Sequence, residues 1–117
     1  MTGSQISENV FRISNASPPC VKYNSRFSCK RDALLANLFI ENDFNISDCT
    51  RVYIGEWHTH PQQNPVPSEV DCDSIISNYN TANLAIPILF MMIIGIDSIH
   101  ISVYDGTMFY KVRPIII

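Results

Sequence analysis

The segment EWHTHPQQNPVPSEVD, residues 56–71, carries the side chains best suited to chemistry in this chain. His58 and His60 are separated by one residue, and Ser68 stands three residues before Asp71. In an extended backbone, side chains at 56, 58 and 60 point to one face and those at 53, 55, 57 and 59 to the other. Two imidazoles would then project together from bases roughly 6–7 Å apart. That separation lets both reach one ion at zinc–nitrogen distances of about 2.0–2.1 Å.

Pro61, Pro65 and Pro67 prevent the strand from continuing and turn the chain back. Ser68-x-x-Asp71 reads as a helix start, with the serine as cap. A helix beginning there can return Asp71 to the histidines as a third, anionic ligand; Asp73 is the alternative, or simply favours the helix N-terminus. Two histidines and a carboxylate leave a coordination position open for water, the pattern of a catalytic zinc site. The ion brings the pKa of that water toward about 7. Taken singly, His-x-His is a weak signal, and Ser68 with Asp71 is first of all a cap.

The elements that must position these residues follow from the apolar pattern. Residues 9–16 read as a short strand ended by Ser17-Pro18-Pro19, because proline donates nothing to a sheet ladder. Residues 31–42 read as a helix with Leu34, Leu35, Leu38 and Phe39 as its apolar side, followed by a loop around Asn45-Ile46-Ser47-Asp48. Residues 51–58 read as a strand, and Ser68 to about Ala82 as a second helix with Val70, Ile75, Ile76 and Tyr79 apolar. Three strands close the chain at 87–95, 98–105 and 107–113, the last two joined at Asp105-Gly106, a strong hairpin signal. This order predicts an α/β or α+β fold, a sheet packed by helices.

Composition bounds the function. The chain has 117 residues, 46% of them hydrophobic and 16% charged, with a formal net charge of −3. That suits one domain with a real core and argues against nucleic-acid binding by phosphate neutralisation. The densest basic cluster, Arg26, Lys30 and Arg31, reads as a solvated loop and helix start. Cys20, Cys29, Cys49 and Cys72 show no CxxC spacing, and a disulfide pair stays open. The polar start MTGSQISENV lacks the basic and apolar regions of a secretory signal. A reducing, cytoplasmic setting with mostly buried thiols is expected. The apolar run AIPILFMMIIGI, residues 85–96, is too short to span a bilayer and reads as a strand buried on both faces. No membrane association is expected. His100, inside an apolar strand, reads as a packed or edge histidine.

His58-Thr59-His60-Pro61, Ser68 after seven intervening residues and Asp71 after two more match the motif H-[ST]-H-x7-S-x2-D in every functional position and both spacings. In this the chain resembles the JAB/MPN (JAMM) zinc metalloprotease family, and GEWHTHP is similar to its bacterial branch. The order of elements resembles the family fold too, so the resemblance covers nearly the whole chain. It implies a JAB/MPN-like mixed β-sheet flanked by helices, with cytidine-deaminase-like topology. It implies Zn2+ held by His58, His60 and Asp71, and Ser68 as the catalytic residue that supports the oxyanion. The activity implied is hydrolysis of amide or isopeptide bonds at a ubiquitin-like or other extended C-terminal protein tail. Bacterial relatives include isopeptidases of anti-phage conjugation systems.

The family motif has a further part, a general-base glutamate from an early strand. Met1-Thr2-Gly3 resembles the end of the segment that carries it, so the 1–117 domain is expected to lack its first strand/helix segment. Three readings stay open. The glutamate lies upstream of Met1, or Glu56 or Glu8 substitutes for it, or the chain is a catalytically impaired zinc-binding or protein-interaction module. A zinc nucleobase deaminase is set aside, since it needs His-x-Glu with Pro-Cys-x-x-Cys. Oligomeric state is not legible, although the apolar end RPIII could meet a partner.

Overall fold

A computed structural model describes residues 1–19, 21–24 and 29–116, with side chains described outside 20–31. Cys20, Arg26 and the side chains of Cys29, Lys30 and Arg31 therefore lie outside the described residues. The chain divides into two compact units, Met1–Tyr53 and Ile54–Ile117. It is α+β, with two helices and a four-stranded mixed sheet among its described elements.

The first unit starts with β1 (Thr2–Ser7) and β2 (Val10–Asn15), an antiparallel pair. Strand β2 was expected; β1 was not, because MTGSQIS shows no apolar run. A second hairpin, β3 (Val21–Asn24) with β4 (Cys29–Arg31), also carries no sequence signal strong enough to have been foreseen. Helix α1 (Ala33–Ile46) is capped by Asp32, whose side chain accepts from the Leu35 N–H at 3.2 Å. It runs through Asn45 and Ile46, where a loop was expected, and stops where Asp48 and Cys49 adopt φ of 58° and 64°. Strand β5 (Val52–Tyr53) then pairs with β1.

The rotation of α1 corrects the sequence reading. Leu34, Leu35 and Leu38 are 69%, 50% and 52% exposed, while Ala36 and Asp43 are the helix's buried residues. Ala36 lies about 200° around the axis from Leu34, and Asp43 follows Ala36 by two turns on the same face. Asp43 explains the orientation. Its carboxylate accepts from Thr2 Oγ1 at 2.6 Å, Asn15 Nδ2 at 2.9 Å, and Arg51 Nε and Nη2 at 2.9 and 2.8 Å. A buried carboxylate with four donors cannot be turned outward without stranding them. Polar satisfaction, rather than the leucine spacing, points this helix.

In the second unit, β6 (Gly55–Thr59) is followed by α2 (Glu69–Thr81), then β7 (Leu89–Ile94), β8 (Ile99–Tyr104) and β9 (Phe109–Lys111). The strand expected over 51–58 is interrupted at Ile54, where the chain passes from pairing with β1 to pairing with β7. The sheet order is β6-β7-β8-β9, with β6 and β7 parallel and the other pairs antiparallel. Parallel neighbours require a crossover, and the loop 60–68 with α2 supplies it. Strand β7 is buried on both faces, as expected: Leu89, Met91 and Ile93 on one, Phe90 on the other. Ile75 of α2 is buried, Ile76 and Tyr79 partly so, and Val70 is exposed despite its place in the expected apolar side.

The hairpin at Asp105-Gly106 forms as expected. Asp105 accepts from the Thr107 and Met108 N–H groups at 2.8 and 2.9 Å, and Gly106 takes φ of 95°. Among the described residues no helix is long and apolar enough to cross a membrane.

Candidate metal centre

The site sits where β6 ends and α2 begins. Alternation along β6 sends Glu56 and His58 to one face, and His60 continues that pattern just past the strand, its N–H donating to the Ile94 carbonyl at 3.0 Å. Register sets His58 beside Ile93, so the fully buried core of β7 supports its base.

The prolines turn the chain as expected, and the loop they form is held by its neighbours. The Gln62 carbonyl accepts from Ile96 N–H at 2.8 Å, and the Gln63 carbonyl from Asp97 N–H at 3.0 Å. Gly95 makes this approach possible. A Cβ there would stand 2.5 Å from Pro65 Cδ and 2.7 Å from the Gln62 carbonyl oxygen.

Ser68 caps α2 in a reciprocal capping box: its Oγ accepts from Asp71 N–H at 3.1 Å, and its N–H donates to Asp71 Oδ2 at 2.8 Å. This exchange fixes the Asp71 side chain as well as the helix start. Burial pushes the Asp71 carboxyl up, but the Ser68 N–H and hydroxyl, with the two imidazoles, outweigh it and hold the group below its ordinary value. The positive end of α2 favours the same anion.

The three expected ligands converge. His58 Nε2 and His60 Nε2 are 3.2 Å apart, His58 Nε2 is 3.2 Å from Asp71 Oδ1, and His60 Nε2 is 3.2 Å from Asp71 Oδ2. Their side chains are 34%, 20% and 14% exposed, shielded yet open to solvent. These three side chains form a group able to hold a metal ion.

The donor set is compatible with a divalent cation such as zinc. Tetrahedral ligands at about 2.0–2.1 Å from zinc lie about 3.3–3.4 Å from one another; the two ring nitrogens stand 3.2 Å apart, each meets a different Asp71 oxygen at 3.2 Å, and one ligand atom from each residue lies within 4.8 Å of the others. The ring nitrogens and the carboxylate are also Lewis bases gathered in one small group, a donor chemistry that suits a cation.

The remaining candidates fall outside this group. Glu56 shares the histidines' face but is not at ligand distance, and Asp73 is exposed. Glu8 lies in the turn between β1 and β2 of the first unit. Ser68 is a cap and an anchor for Asp71, as its spacing alone suggested. His100 stands half-buried in β8, its Nε2 without a hydrogen-bond partner among the described residues; burial, then the nearby Lys111 charge, pushes the imidazole below its ordinary value. The two described thiols depart from the expectation of burial: Cys49 is exposed and Cys72 half-buried. Burial and the Asp71 and Asp73 charges push the Cys72 thiol up, so it stays protonated beside the site.

One neighbour was not foreseen. Gln62 Oε1 lies 3.3 Å from His60 Nδ1 and accepts from the Val66 N–H at 3.1 Å. A glutamine two residues past a histidine carries no motif, so only the folded loop discloses it.

No family model matches the chain, nor does any curated protein.

Proposed function

We propose that His58, His60 and Asp71 form the zinc centre of a metallopeptidase of the JAB/MPN type, which hydrolyses amide or isopeptide bonds at extended, ubiquitin-like protein tails. The observation that carries this reading is the convergence of two Nε2 atoms and one carboxylate within 3.2 Å contacts, in the motif order and spacing. The parallel β6–α2–β7 crossover with antiparallel β8 and β9 is consistent with the JAB/MPN topology.

Bound to these side chains, zinc supplies Lewis acidity, polarising a carbonyl and acidifying a water. The chain's own residues do the rest. His58 and His60 present ring nitrogens, and Asp71 brings a negative charge held in place by Ser68 and the helix start. Ser68 Oγ accepts from the Asp71 amide and still has its own proton to donate, which suits support of an oxyanion. A small-residue tail laid out by main-chain hydrogen bonds would reach a site of this openness.

A second reading is favoured by one observation: Asp71 is the only carboxylate at ligand distance among the described residues. General-base chemistry needs another carboxylate within reach of the water, and Glu56 is the candidate on the same face. Without one, the chain is a zinc-binding interaction module. The test is zinc stoichiometry together with hydrolysis of a ubiquitin-like fusion. One equivalent of zinc with cleavage, abolished in His58→Ala, supports the peptidase. Stoichiometric zinc without cleavage favours the module, and no zinc uptake at neutral pH refutes both.

A further inference from the structure

Hydrogen-bond polarity around Gln62 can be followed in one direction. The Val66 N–H is a donor, so the Gln62 atom facing it at 3.1 Å is the carbonyl oxygen, not the amide nitrogen. That same oxygen lies 3.3 Å from His60 Nδ1 and can only accept from it. His60 then donates from Nδ1, which leaves Nε2, the atom that faces His58 and Asp71, as the nitrogen that can give its lone pair to a cation.

We infer that Gln62 is a positioning residue for the centre: its side-chain oxygen sets the His60 tautomer and ring orientation, making Nε2 the metal-binding nitrogen. The inference rests on the metal reading above for its consequence, though not for the tautomer itself. The support reaches further back into the fold. Gln62 keeps its place because its carbonyl accepts from Ile96 N–H, at the approach that Gly95 leaves free. A partner that holds the second nitrogen of a ligating histidine commonly changes metal affinity by 10–100-fold. Gln62 is exposed and its contact to His60 is long, so the lower end is expected.

The test uses the full chain with 15N-labelled histidine. Long-range 1H–15N correlation of the zinc-loaded protein should show His60 as the Nδ1–H tautomer in wild type and in Gln62→Glu, which keeps an acceptor. In Gln62→Leu the tautomer should shift toward Nε2–H. Competition with a chromophoric chelator should then give a zinc dissociation constant raised about 10-fold in Gln62→Leu, and unchanged or lowered in Gln62→Glu. Protection of the Ile96 amide from exchange reports whether the loop survives substitution. If Gln62→Leu disorders the loop, Gln62→Glu still decides, since weaker zinc binding by this stronger acceptor overturns the proposal. An Nε2–H tautomer in wild type also overturns it, as does a Leu variant with unchanged tautomer and affinity. A wild type that binds no zinc but shows the Nδ1–H tautomer refutes the metal reading and leaves the Gln62–His60 bond standing.

Discussion

Replacing Asp43 with asparagine should cost the first unit a definite, pH-dependent share of its stability. The Asp43 side chain is 4% exposed and holds four donors from Thr2, Asn15 and Arg51. Hydrogen bonds from Arg51 lead the effects that lower its carboxyl from 3.8 to about 2; burial opposes them, and Thr2 and Asn15 add to the lowering. At about 1.4 kcal/mol per tenfold change in proton affinity, this drop corresponds to about 2–2.5 kcal/mol. The sign follows from linkage: a lowered carboxyl stabilises the fold fully above the unfolded value and loses that contribution as pH falls through the folded value. The wild type should therefore exceed Asp43→Asn by at least about 2 kcal/mol at pH 6, and the difference should shrink between about pH 4 and 2. Urea unfolding by far-UV circular dichroism measures it, with hydrogen exchange of α1 and β1 amides locating the loss. Equal urea midpoints at pH 6, or a difference that stays flat down to pH 2, would refute the reasoning.

Other outcomes follow from the metal centre and its supports. His58→Ala and Asp71→Asn should each weaken zinc binding on the order of 100-fold or more, read by equilibrium dialysis. Ser68→Ala should lower thermal stability by about 1 kcal/mol through the lost cap and also weaken zinc binding, because Asp71 loses one of its two ties, whereas Ser68→Thr should restore both. Gly95→Ala must displace Pro65 or the Gln62 carbonyl, so it should cost about 1–3 kcal/mol and reduce zinc affinity although it touches no ligand. Unchanged zinc affinity in Gly95→Ala would show that the loop does not transmit its position to His60. On acidification, Asp71 should take up its proton at lower pH than carboxylates of the ordinary range, because the group is held low. A carboxylate infrared band that persists through that range would confirm it.

Several elements were legible because local physics specifies them. Ser68 supplies the cap of the second helix, which occupies Glu69–Thr81 within the expected span. Asp105-Gly106 supplies a left-handed turn residue and an acceptor for two following amides, so the turn of the last hairpin was legible from local residues. The 85–96 run was legible as a strand, since length and composition separate it from a membrane span. Strand β1 was not legible, because its polar residues pair by backbone hydrogen bonds that leave no mark on hydropathy.

By itself the sequence nominated the candidate ligands: period-two alternation places His58 and His60 on one face, the helix start offers Asp71 or Asp73, and the motif resemblance singles out Asp71. Tertiary structure alone decided their convergence to 3.2 Å, which depends on Gly95 admitting the proline loop and on backbone bonds from residues over thirty positions away. It also decided the rotation of α1 against its leucine pattern. Spacing records which side chains share a face; only the donors gathered around Asp43 determine which face turns inward.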